Sequence, residues 1–152
     1  MGYGDRADNP DLDRNLAFLV YGLLFFAVFF AGAPALIAVA IAQSRRNAAA
    51  PLVRRHHAYQ ISVFWIGFGL ALLAGGSALA FLVTGLLEMV QAGAGGIDTL
   101  DEMFASLSDS KTLFSFLTAA IVLTLLSGLW LSGAAAYGFF RLASGKPIVQ
   151  TR

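Results

Sequence analysis

The chain has 152 residues, of which 58% are hydrophobic and 12% charged, with a net charge of +1 and a mean hydropathy of +0.73. A soluble domain carries about 25% charged residues, so half of the usual solvating charge is missing. That excludes a disordered chain, argues against a soluble globular one, and predicts an integral membrane protein. Cysteine is absent and the only histidines are His56 and His57, adjacent in the chain. Disulfides and thiolate metal sites are therefore excluded.

Three stretches lack Asp, Glu, Lys and Arg, and they predict membrane spans at about 16–42, 61–87 and 113–140. Each exceeds the roughly 20 apolar residues that cross a hydrocarbon core. The expected architecture is an all-α, single-domain membrane protein, 1–152, with three transmembrane helices plus a short amphipathic helix in the second loop. The leader MGYGDRADNPDLDR is acidic and the apolar run behind it is long. Both are unlike a cleaved signal peptide, so the first span is expected to be retained.

Within the first span, Pro34 in Gly32-Ala-Pro34 removes one helical hydrogen bond and predicts a static kink. In the first loop, Asn47 and Pro51 suit a helix start. The helix begun there is expected to carry Arg54, Arg55, His56, His57 and Gln60 into the second span unbroken. In the second loop, Thr99-x-x-Glu102 fits a capping box. Leu100, Met103, Phe104 and Leu107 follow at i, i+3, i+4 and i+7, predicting an amphipathic helix over about 99–107 that lies on the membrane surface.

Lys and Arg number two in the N-tail, four in the first loop, one in the second loop and three in the C-tail. Their alternation over three spans predicts an outside N-terminus and a cytoplasmic C-terminus.

Small residues recur at four-residue spacing in the spans, where they let helix backbones approach. Candidate packing positions are Ala27, Ala31 and Ala35 on the first span. The second offers Gly76 and Ala80, and the third Gly128 with Ser132 and Ala134 with Gly138. No ionisable side chain lies deep in a span, which speaks against proton relays, pumps and voltage sensors.

One polar cluster stands out. Arg54, Arg55, His56, Tyr59 and Gln60 open the second span, with His56 and Gln60 on one helical face. The expected role is an interfacial anchor; a lipid-headgroup site is the functional alternative. Adjacent histidines diverge by about 100° on a helix. With no further histidine, haem ligation is not expected, and no cofactor, metal or nucleic-acid site is read.

His56-x-x-x-Gln60-Ile61-x-x-Phe64-Trp65, Ile41-Ala42-x-x-x-Arg46 and Gly145-Lys146-Pro147-Ile148 together resemble motifs of a bacterial family of small membrane proteins of unknown function. That family is distantly similar to the small membrane subunit of the chloroplast Tic import machinery. The resemblance implies three or four packed helices in a bacterial inner membrane and no catalytic mechanism.

With no nucleophile–base pair, the expected function is a non-catalytic structural or accessory subunit. Its partners would be membrane lipid, other membrane subunits or further copies of itself. The alternatives are an oligomeric transport or protein-translocation component, with Ser77, Thr84, Thr118, Thr124 and Ser127 lining a path, and anionic-lipid binding at the cytoplasmic face.

Overall fold

A computed structural model describes residues 10–47, 49–95 and 99–148, with the backbone alone for Pro10, Met103, Phe104, Ser106 and Leu107. Every regular element among them is helical. In chain order these are α1 (Pro10–Phe26), a 3-10 segment (Ala27–Phe30), α2 (Ala33–Arg45), α3 (Pro51–Ala94), α4 (Leu100–Ser108) and α5 (Lys111–Ala143). Three helical stretches are long and apolar enough to cross a membrane: Asp11–Phe30, Pro51–Ala94 and Lys111–Ala143. The protein is thus an all-α membrane protein with shorter helices beside three long apolar ones that could span a membrane.

The first apolar stretch departs from expectation. It is not one kinked helix over 16–42 but two helices folded into a hairpin. Ala31 (φ 50°) and Gly32 (φ 82°) take left-handed backbone conformations in succession, and two such residues reverse the chain where one proline would only bend it. Pro34 then falls in the first turn of α2, where its missing N–H costs nothing. Hydropathy cannot register this turn, because every residue of it is apolar.

α1 contributes Ala17, Val20, Tyr21 and Leu24 to the buried core, the 3-10 segment contributes Ala27, and α2 contributes Ala35, Ala38 and Ala42. The spacing is helical on both arms, and the all-alanine face of α2 admits close approach. Asp13 near the start of α1 accepts from Arg45 Nε at the end of α2, at 2.9 Å, so both lie at the open end of the hairpin. Ala27 and Ala35 are buried on opposite sides of the turn, whereas Ala31 is an exposed turn residue. The expected Ala27–Ala31–Ala35 stripe on a single helix therefore does not exist.

Contacts divide the chain into two units, the residues through Phe68 with those from Ser127 onward, and Gly69–Leu126. In the first, Ser127 Oγ donates to Gly67 O at 3.0 Å and Trp130 Nε1 donates to Val63 O at 3.1 Å, tying α5 to α3. Gly138 meets the Tyr21 ring, and Gly128 meets Val28. These two of the four candidate positions on the third span are close-approach sites. Ser132 and Ala134 are half-buried.

In the second unit, Ser110 caps α5: Leu113 N donates to its Oγ at 3.3 Å, while that hydroxyl donates to Glu88 at 2.7 Å. Thr99 Oγ1 accepts from Glu102 N at 3.4 Å, as one half of the expected capping box. The apolar face expected of α4 rests on Met103, Phe104 and Leu107, whose side chains lie outside the described residues. Phe81, Gly85, Met89, Leu113 and Leu117 help to line an apolar recess of about 550 Å³. Gly76 is exposed, with open space where a Cβ would stand, and Ala80 is half-buried. Gly76 forms no close approach among the described residues.

Candidate functional site

Pro51 opens α3, and the helix runs through both histidines without a break. Its first turns place His56, His57 and Gln60 against α1, all three fully buried. α1 presents Asp13, the Ala17 carbonyl and Tyr21 at successive four-residue steps, hence along one face.

The bonds between these faces form a clasp. Gln60 Nε2 donates to Ala17 O at 2.9 Å. A carbonyl can only accept, so this contact fixes the amide orientation and turns Gln60 Oε1 toward His57 Nδ1, 2.9 Å away. His57 must then carry its proton on Nδ1. Its Nε2 is left as a buried acceptor with no partner among the described residues. His56 takes the opposite tautomer. Its Nε2 donates to Lys146 O at 3.2 Å, and its Nδ1 accepts from Tyr21 Oη at 2.8 Å.

The C-terminal segment is shaped to reach this point. Gly145 (φ 64°) ends α5 in a left-handed cap, and Lys146 N donates back to Arg141 O at 2.9 Å. The reversal brings the Lys146 carbonyl to His56, lets the Arg141 guanidinium donate to Pro147 O, and buries Ile148. His56 thus meets the C-terminal segment at the Lys146 carbonyl.

The five residues singled out in the sequence do not form one surface. His56 and Gln60 belong to the clasp. Tyr59 is half-buried and turns to α5, donating to Ala134 O at 3.4 Å and standing edge-on to Tyr137. Arg54 and Arg55 point outward and are exposed, as are Arg46 and Lys146. Sequence reasoning missed Asp13, Tyr21, His57 and the Lys146 carbonyl as members of the polar site. The i, i+3 spacing of His57 and Gln60 was a usable signal. The partners on α1 carried none, because only the hairpin brings that face to α3.

Energetically the clasp matters more here than in a soluble protein. Lipid tails are as apolar as leucine, so burying apolar surface between helices gains packing rather than hydrophobic free energy. Interhelical hydrogen bonds contribute about 0.6–2 kcal/mol each in that setting. The clasp bonds therefore join α1, α3 and the C-terminal segment with a few kcal/mol in all.

Chemically, every polar group of the clasp but His57 Nε2 is committed to another. Both His56 nitrogens, the Tyr21 hydroxyl and both ends of the Gln60 amide are occupied. No set of three His, Asp or Glu side chains converges as a metal site among the described residues. No family model, curated protein or solved structure matches the chain.

Proposed function

We propose that the protein is a non-catalytic accessory subunit of a bacterial inner-membrane complex. The observation that carries this reading is the clasp, which spends His56, Tyr21 and Gln60 on holding helices together. Outside it, the helices present large apolar side chains outward, among them Leu72, Leu79, Leu82, Leu86 and Leu129. That suits lipid and lateral association with other membrane helices.

The outside N-terminus predicted from loop charges presupposed a crossing over 16–42. With the chain reversing at Ala31–Gly32, the Asp13–Arg45 pair and the His56–Lys146 bond argue that N-tail, first loop and C-tail share a face. Nine of the ten Lys and Arg residues lie in these three segments. The positive-inside rule then assigns that face to the cytoplasm.

Purification from native membranes in a mild detergent tests the subunit reading. The expected result is a stable assembly with other membrane subunits or with further copies of the chain. A lone monomer overturns it. The translocation alternative needs Ser77 and Thr124 to line a path, yet both hydroxyls donate to carbonyls of their own helix, Leu73 O and Ala120 O.

A second reading is favoured by the exposure of Arg46, Arg54, Arg55 and Lys146 around the clasp. Such a group attracts anionic headgroups by about 1 kcal/mol per basic residue. Replacing Arg54 and Arg55 together with alanine is expected to reduce retention of anionic lipid by roughly tenfold or more, read by native mass spectrometry. Unchanged retention removes this reading.

A further inference from the structure

We propose that Pro10–Arg45 is a re-entrant hairpin. It enters the hydrocarbon from the clasp side, turns inside it at Ala31–Gly32, and returns to the same side with Phe29 and Phe30 against lipid acyl chains. The inference does not depend on the accessory-subunit reading.

The composition of the turn is the first ground. From Leu16 to Ala42 the chain has no charged residue, and the reversal itself reads Phe29-Phe30-Ala31-Gly32-Ala33-Pro34-Ala35. A loop emerging into water on the far side would be expected to carry polar or charged residues. Phe29 and Phe30 are 71% and 63% exposed. Two phenylalanines bared at a turn suit acyl chains, not an aqueous phase.

The backbone of the turn is the second ground. Irregular backbone facing lipid is costly because no water satisfies its N–H and C=O groups. Here the N–H groups of Ala31 and Gly32 both donate to Ala27 O. Ala35 N donates to Gly32 O at 3.0 Å, and Pro34 has no N–H to satisfy. The reversal therefore closes most of its donors upon itself, as a turn in hydrocarbon must.

Depth is the third ground. Val28, just before the tip, lies against Gly128. The neighbouring Ser127 donates to Gly67 O, so the tip region is level with Gly67 on α3. Gly67 stands about a dozen residues past Arg55, or about 18 Å of helix. In the sequence the charge-free run of α3 extends from His56 to Leu87, and Gly67 falls within its first half. A hairpin ending near Gly67 stops inside the layer that α3 crosses.

The absence of native cysteine allows a direct test. Phe30→Cys, Asn47→Cys and Asp109→Cys are compared in right-side-out and inverted membrane vesicles with a membrane-impermeant maleimide. Asn47→Cys and Asp109→Cys are expected to react from opposite faces. Phe30→Cys is expected to react from neither face, and to react fully after denaturation in SDS.

Reaction of Phe30→Cys from the Asp109 face would show two full crossings and overturn the proposal. Reaction from the Asn47 face would place the tip outside the membrane, with the same consequence. A spin label on Phe30→Cys in lipid bilayers supplies the second measurement. Relaxation by dissolved oxygen and not by a water-soluble nickel chelate is expected. A label that neither reagent relaxes is covered by protein, which overturns the lipid contact. Phe29→Cys provides an independent position should Phe30→Cys fail to fold.

Discussion

Gly138→Ala is expected to destabilise the protein by about 3 kcal/mol, at the upper end of the usual cost of overpacking. A Cβ at this position would overlap Cε1, Cζ and Oη of Tyr21. The ring has no room to withdraw. It is 1% exposed, and its hydroxyl is bonded to His56 Nδ1. Moving the ring breaks that bond and leaves polar groups of the clasp unpaired, which adds to the steric cost.

Two other glycines calibrate the effect. At Gly67 a Cβ would press on the Leu131 side chain, 2.7 Å from its nearest atom. A leucine can change rotamer, so about 1 kcal/mol is expected there. At Gly76 nothing lies within 4 Å, and Gly76→Ala should be neutral or slightly stabilising, since alanine is the better helix former. The measurement is the thermal unfolding midpoint in detergent, followed by intrinsic tryptophan fluorescence. Combining Gly138→Ala with Tyr21→Ala should recover part of the loss, because the added methyl then fills vacated space. Equal stability of the Gly138 and Gly76 variants would refute the close approach of α1 and α5.

The Asp13–Arg45 pair should respond asymmetrically to removal of either partner. The Asp13 side chain is 3% exposed and that of Arg45 23%. Arg45→Ala strands a carboxylate that is both buried and deprived of its donors, and a loss of about 3 kcal/mol is expected. Asp13→Ala leaves a long guanidinium free to turn toward water or lipid phosphate, at an expected cost of about 1 kcal/mol. The double variant should resemble Asp13→Ala alone, so the double-mutant cycle reports a coupling of about 3 kcal/mol. Equal losses in the two single variants would show that burial of Asp13 does not govern the pair. Because the bond closes the open end of the hairpin, Arg45→Ala should also raise protease sensitivity in the 45–51 loop.

Much of the architecture was legible in the residues themselves. The charge-free runs identified the membrane class and the three long apolar helices. Pro51 and the unbroken pattern after it foretold the entry of α3, and Thr99-x-x-Glu102 foretold α4. These features are local, fixed by hydropathy over a window or by the chemistry of a helix end. The bounds of the first long helix were not legible, because a window average treats Leu16–Ala42 as uniform and no polar residue marks the reversal at Ala31 and Gly32. The cluster opening α3 was seen, but its membership was divided incorrectly. Helical spacing alone makes His56 and Gln60 partners, whereas His56 pairs with Tyr21 and His57 with Gln60.

The sequence by itself determined that this is an all-α membrane protein with three long apolar helices, because hydropathy and charge placement act along the chain. Only the tertiary structure decided that the first apolar stretch doubles back, that Gly138 receives Tyr21, and that the polar residues opening α3 close upon α1 and the C-terminal segment. Those outcomes depend on backbone conformation at two apolar residues and on contacts between residues far apart in the chain.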